Sequence, residues 1–177
     1  PDAAPATGAA GVSVRPITRA AARAVVAKWH SHHTAHVGET LALGWFVAGD
    51  PVACVAMGRP SARLLDDGVT WEVTRLCIGP DAPPCAASRL LGAASRAAEA
   101  CGVRRLISYT RIDERGTCYK AANWHPAAVI AGREWAGSNK PGRWLPGLYT
   151  PSTEIVDRVR WERGPDAAPA IEIARAA

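Results

Sequence analysis

The stretch TLALGWFVAGDPVACVAMGRP, residues 40–60, constrains this chain more than any other. Two apolar runs flank Gly49-Asp50-Pro51, and a tight turn between such runs marks an antiparallel hairpin. After the loop RLLDDG comes a third alternating run, VTWEVTRLCIGP (69–80), stopped by Gly79-Pro80. The pattern then changes period. ASRLLGAASRAAEACG (87–102) sets Leu90, Leu91, Ala94 and Ala98 on one helical face and ends at Gly102, a good C-cap. RRLISYTR (104–111) reads as a strand and GTCYKAANW (116–124) as a short helix. Upstream, VSVRPI (12–17) is a short strand. Thr18 caps the helix TRAAARAVVAKWH, where Ala21, Val25 and Trp29 recur every four residues.

Ala127–Ile130 and Ile155–Trp161 read as closing strands, with the Gly- and Pro-rich SNKPGRWLPGLY as a surface loop between them. A hairpin-rich centre whose later strands alternate with helices belongs to the mixed α/β class. The expected architecture is one mixed sheet of about six to seven strands flanked by helices, in a single domain over 12–161. Residues 1–11 and 162–177 read as a flexible leader and tail.

The five cysteines, Cys54, Cys77, Cys85, Cys101 and Cys118, are odd in number and form no CxxC pair. That speaks against a disulfide framework or a cysteine zinc site and for a reducing cytoplasm. No apolar run is long enough to span a bilayer. The net charge of +5 comes mostly from arginine. It suits acidic partners, nucleic acid or a phosphorylated cofactor. It is also what a GC-rich genome gives a chain rich in Ala, Arg, Gly and Pro, so it favours such a partner only slightly.

Four of the five histidines fall in WHSHHTAH, at His30, His32, His33 and His36. On a helix, His32 and His36 would share a face at metal-capable spacing. Glu39 is the one acidic neighbour, and a third ligand would have to come from elsewhere. Cations are also favoured at a helix C-terminus, so the cluster needs no functional explanation. The reading preferred here is that these histidines face a substrate and bind no metal.

Two segments carry a resemblance. YKAANW (119–124) resembles the Tyr-x-x-x-Gly-aromatic segment of GNAT acyltransferases. TWEVTRLCIGP followed by a turn and ASRLL is similar to their strand, phosphate turn and helix. The order WHSHH, EVTRL, ISYTR with Asp113, and GTCYKAANW further resembles Mom-like proteins, phage GNAT relatives that modify adenine in DNA. The phosphate turn departs from the usual Arg/Gln-x-x-Gly-x-Gly/Ala form: Pro80–Ser88 holds no glycine.

The resemblance implies a GNAT-like fold and an N-acyltransferase fed by acetyl-CoA or another acyl-CoA. The acceptor it implies is the exocyclic amine of adenine in phage or prophage DNA. A small-molecule amine as acceptor, or a non-catalytic DNA-binding relative, are the alternatives. Tyr119 would protonate the leaving thiolate. Cys77, Ile78, Cys85, Ala86, Ala87, Ser88 and Tyr119 would hold the donor, with the helix N-terminus at its pyrophosphate.

Glu72 would be the base, or else one half of a buried salt bridge. Asp113 is a second candidate base, or an ordinary turn residue. Alternation puts Glu72, Thr74 and Leu76 on one face and Val73, Arg75 and Cys77 on the other. His30, His32, His33, Arg75, Ser108 and Tyr109 would line the acceptor side. Lys140, Arg143 and Trp144 could touch phosphate and stack a base. His125, before Pro126, reads as a turn residue.

Overall fold

A computed structural model describes residues 12–29, 38–132 and 156–173. The elements are β1 (Val12–Pro16), α1 (Arg19–Trp29), β2 (Glu39–Val47), β3 (Asp50–Gly58), β4 (Thr70–Ile78), α2 (Ala86–Ala100), β5 (Arg105–Arg111), α3 (Thr117–Ala121), β6 (His125–Ile130) and β7 (Arg158–Arg163). They build one seven-stranded sheet in the order β1-β2-β3-β4-β5-β7-β6. The pairs β1–β2, β2–β3, β3–β4, β5–β7 and β6–β7 are antiparallel, and β4–β5, joined through α2, is parallel. A parallel pair needs a long crossover, and α2 supplies it.

The hairpin turns one residue earlier than its sequence suggests. Val47 pairs with Asp50, so the loop is Ala48-Gly49. Both residues have positive φ, 50° and 95°. A two-residue loop with both φ positive matches the strand twist, and glycine takes the second position without strain. Pro51 then sits near the start of β3, where a missing N–H is tolerated.

Successive side chains point to opposite faces, and the two faces bury different helices. Ala22, Val25 and Val26 of α1 pack on Ala42, Cys54, Ala56 and Cys77. Leu90, Leu91 and Ala94 of α2 pack on Leu43, Trp45, Val55 and Met57 in the larger core. Tyr119, Trp124 and Trp161 extend that core across the β5–β7 side of the sheet.

The last strand is displaced from its expected place, Arg158–Arg163 instead of Ile155–Trp161. The stretch after it, assigned from sequence to a tail, is held as far as Ile173. Arg104 pairs with Asp166 at 2.6 Å, the Ile171 N–H donates to the Pro126 carbonyl at 2.8 Å, and Ile173 packs on the core. His125 is the first residue of β6 and bonds the Ala168 carbonyl through Nε2 at 2.6 Å. No helix among the described residues is long and apolar enough to cross a membrane.

Candidate active site

The decisive local feature lies in the middle of β4. Ala56 of β3 pairs with Arg75, while its neighbour Met57 pairs with Val73. Thr74 is therefore an extra residue, a β-bulge, and it reverses the alternation of everything after it. Val73 and Leu76 both pack on the α2 core, while Cys77 lies in the α1 cluster. The expected division of β4 into two faces is thus corrected: Glu72, Arg75 and Cys77 share the α1 face. An unbroken period of two would have separated Glu72 from Arg75.

The bulge also ends the parallel ladder. β4 and β5 pair from Thr70–Arg105 to Val73–Ser108 and no further. Beyond that point the two strands form a fork whose inner edges carry no strand partner from each other. Ser108 sits at its apex. Its hydroxyl donates to the Val73 carbonyl at 3.1 Å and lies 2.8 Å from the Tyr119 hydroxyl. Because Ser108 has one hydroxyl proton and uses it on Val73, Tyr119 is the donor to Ser108.

The Tyr119 ring is clamped, stacked on Trp161 at 5.3 Å and edge-on to Trp124 at 5.6 Å. Burial pushes its phenol pKa further above the ordinary range, with Ser108 opposing in part. The side chain is thus a protonated, oriented donor at the fork. Gly116 makes the clamp possible. It opens α3 at φ 61°, and a Cβ there would lie 2.0 Å from the Trp161 ring.

On the α1 face the register lines up buried carboxylates across the sheet. Glu39 pairs with Gly58, Gly58 with Glu72, Glu72 with Ile107, and Ile107 with Glu162. Each carboxylate has a basic or N–H partner. Arg23 bonds Glu39 at 3.1 Å, and Arg160 pairs with the fully buried Glu162 at 2.8 Å. The Ser61 N–H donates to Glu72 at 2.7 Å. Burial lowers the Arg75 pKa, and the charges of Glu72 and Glu39 oppose that shift. Tyr109 faces the same side. Its phenol pKa is raised by burial and by Glu72, while a hydrogen bond from Arg160 works against that.

The fork therefore brings together Tyr119 and Ser108 on one face and Glu72, Arg75 and Tyr109 on the other. Asp113 stands apart: it is exposed and ion-paired to Arg111 at 2.9 Å, which holds its carboxyl below the usual range. Cys77 turns its thiol toward the Val25 carbonyl of α1, and Ile78 is exposed.

At the start of α2, Cys85 adopts φ 67°. It thus makes the left-handed step that the absent glycine would have made. The Cys85 carbonyl accepts the Arg89 N–H and the Ser88 hydroxyl. The Ala86 N–H donates to Pro83, and the amides of Ala87 and Ser88 are the open first-turn donors.

His30, His32, His33, His36, Lys140, Arg143 and Trp144 lie outside the described residues. Among the described residues, no three His, Cys, Asp or Glu side chains gather closely enough to hold a metal ion. Sequence reasoning missed Glu39, Arg160 and Glu162 as neighbours of the fork. The signal for the last two was present: in RVRWER, alternation puts Arg158, Arg160 and Glu162 opposite Val159 and Trp161.

The model of the Mom protein family matches residues 11–133. The chain belongs to that family. No curated protein matches its sequence. Among solved structures, the fold is similar to the ribosomal-protein-S18-alanine N-acetyltransferase of Escherichia coli, with TM-score 0.61 and 12% identity over 94% of this chain and 100% of that one. It is similar to an acetyltransferase of the GNAT family from Streptococcus pneumoniae, with TM-score 0.59 and 14% identity over 87% of this chain and 99% of that one. A Bacillus subtilis acetyltransferase in complex with CoA also matches, with TM-score 0.53 and 8% identity over 86% of this chain and 97% of that one. The fold of this Mom-family chain is thus the GNAT fold, a mixed seven-stranded sheet flanked by helices.

Proposed function

We propose that this Mom-family chain is an N-acyltransferase that draws on acetyl-CoA or another acyl-CoA. Its acceptor is the exocyclic amine of adenine in phage or prophage DNA, in the cytoplasm. The observation that carries this reading is the fork, where the Tyr119–Ser108–Val73 hydroxyl chain approaches from the α2 side and Glu72 from the α1 side. Acyl transfer needs groups in that arrangement: a base for the attacking amine and a donor for the leaving sulfur.

The residues present fit an acyl-CoA. The unpaired inner edge of β4 can accept an amide-rich arm in the manner of an added strand. The amides of Ala87 and Ser88, opened by the Cys85 turn, suit a pyrophosphate. When bound, the donor supplies an acyl carbon activated as a thioester. Glu72 takes the proton from the amine as the C–N bond forms and the C–S bond breaks. Tyr119 turns its one hydroxyl proton from Ser108 toward the departing thiolate and donates to it there. Burial keeps the phenol protonated for this role, and once its proton has passed to the sulfur a proton from solvent restores it.

Arg75 and Tyr109 orient the acceptor, while Asp113, ion-paired and exposed, serves as a base only for an acceptor that reaches the surface turn. The histidine cluster, Lys140, Arg143 and Trp144 are assigned to the acceptor from sequence. A neutral base suits this site better than a cationic small amine. A cation calls for uncompensated carboxylate, whereas Glu39 and Glu162 pair with Arg23 and Arg160 and the charge of Glu72 acts on the half-buried Arg75.

The test is a thermal-shift and calorimetric titration with CoA and acetyl-CoA, followed by turnover on adenine-containing DNA. Stabilisation by CoA with acyl transfer to DNA is expected. The reading fails if millimolar CoA, acetyl-CoA and dephospho-CoA all leave the melting curve in place.

A further inference from the structure

We propose that Tyr109, aimed by Arg160 and the buried Glu162, donates a hydrogen bond to a ring nitrogen that flanks the reacting amine. The site would thereby select an amine carried on a nitrogen heterocycle over a simple alkyl amine. This rests on the adenine reading above and adds the residues that recognise the edge of the base.

Tyr109 stands two positions beyond Ile107, the strand partner of Glu72, and one beyond Ser108, where the β4–β5 ladder ends. It is therefore the first residue of β5 past the apex of the fork on the Glu72 face. Directly across the β5–β7 ladder sits Arg160, and Glu162 follows on the same face of β7. Glu162 is 0% exposed. One of its oxygens accepts the Ala168 N–H at 2.7 Å, and the other lies 2.8 Å from Arg160. The Arg160 side chain, 18% exposed, in turn bonds the Tyr109 phenol.

The direction of that last bond decides what Tyr109 can do. A guanidinium only donates, so the phenol oxygen accepts. The phenol proton is left over, and it meets no acceptor among the described residues. Glu72 is the reverse case. One of its oxygens takes the Ser61 N–H at 2.7 Å, and the other meets no hydrogen-bond donor among the described residues. The fork thus presents an open donor and an open acceptor on one face. The edge of adenine carries the complement, an amine that donates and a flanking ring nitrogen that accepts. An alkyl amine has no such second atom.

The buried pair is an independent observation. An ion pair taken out of water adds little or no stability over apolar side chains of the same size. Arg160 Nε and Glu162 Oε1 meet without hydrogen-bond alignment, so charge alone holds that contact. What the pair does visibly is fix a guanidinium opposite Tyr109. A costly charge placed against the tyrosine beside the proposed base points to positioning.

The experiment is single-turnover transfer from acetyl-CoA to mixed-sequence oligonucleotides, read as modified nucleoside by mass spectrometry. The oligonucleotides carry adenine, 1-deazaadenine or 7-deazaadenine, and each deaza base lacks one nitrogen that flanks the amine. The proteins are the wild type, Tyr109→Phe, Arg160→Met and Glu162→Gln. Comparing adenine-to-deaza rate ratios between proteins cancels the intrinsic reactivity of each base. For one of the two deaza bases, the wild-type ratio should exceed that of Tyr109→Phe about tenfold or more, the scale of a hydrogen bond a site is built to make. Arg160→Met and Glu162→Gln should lower the same ratio. A general loss of packing would slow all the substrates alike and leave the ratio in place. Tyr109→Phe keeps the ring and decides the matter even if the variants of the buried pair do not fold. Equal ratios in the wild type and Tyr109→Phe overturn the proposal and leave transfer to adenine standing. A wild-type ratio in folded Arg160→Met and Glu162→Gln overturns the positioning role of the pair. No transfer to any of the oligonucleotides by folded wild type that binds CoA is the different result that removes the adenine reading, and this proposal with it.

Discussion

Replacing Ser108 with alanine tests the hydroxyl chain at the fork, and the structure gives the size of the effect. Ser108 is 2% exposed and bonds the Val73 carbonyl and the Tyr119 hydroxyl. Its loss strands the buried phenol and removes one bond from the carbonyl. A buried polar group without a partner costs roughly 1–3 kcal/mol, so Ser108→Ala should destabilise by about 2–3 kcal/mol. Tyr119→Phe is milder. It removes the phenol oxygen but leaves the bond from Ser108 to Val73 and both aromatic contacts, so about 1 kcal/mol is expected. In the double variant no phenol remains to be stranded. Its cost should fall short of the sum of the singles by about 1–2 kcal/mol. Urea titration of the four proteins at constant m measures this directly. Strict additivity, or a Ser108→Ala cost no larger than that of Tyr119→Phe, would refute the chain of bonds drawn here.

Other changes are expected elsewhere. Gly116→Ala combines a positive φ with a 2.0 Å approach to Trp161, so it should cost about 2–5 kcal/mol and show as a lowered urea midpoint. Cys54 and Cys77 are buried and Cys54 is pushed up to about 12, so at neutral pH iodoacetamide should label the exposed Cys85 and Cys101 first, as read by peptide mass mapping. A raised thiol pKa means the native state holds its proton more tightly. The stability this gives is complete below the ordinary thiol pKa and is lost as pH climbs from about 9 toward about 12, which alkaline melting curves should show. Replacing His32 and His33 with alanine should weaken acceptor use while CoA affinity and melting temperature hold. A stoichiometric metal in elemental analysis, with a melt that collapses on chelation, would overturn that reading of the histidines.

Much of the fold was legible because its segments repeat with clear periods. The three-strand centre, α2 with its Gly102 cap and α3 all stand where alternation and helical spacing put them. The faces of β4 were not legible. Thr74 is an ordinary strand residue, and neither glycine nor proline marks the bulge. Only the register against β3 reveals the extra residue, and register is a property of two strands. The left-handed Cys85 was hidden for a similar reason, since a non-glycine residue adopts that conformation only when its surroundings impose it. Tyr119 could be singled out from YKAANW, but its partners could not. Ser108 reaches it from another strand, and Trp161 lies 42 positions further along the chain, opposite Ser108 in the β5–β7 ladder.

The central claim is that this fork transfers an acyl-derived group to adenine in DNA. The most direct measurement is liquid chromatography–mass spectrometry of nucleosides from the DNA of cells expressing the wild type, beside cells expressing Tyr119→Phe and Glu72→Gln at equal soluble levels. The account predicts a new, heavier adenine nucleoside with the wild type and a sharp loss of it with each variant. An unchanged nucleoside profile with folded wild-type protein that binds CoA would contradict DNA as the acceptor. A full yield of the new nucleoside from the variants would contradict the roles given to Tyr119 and Glu72.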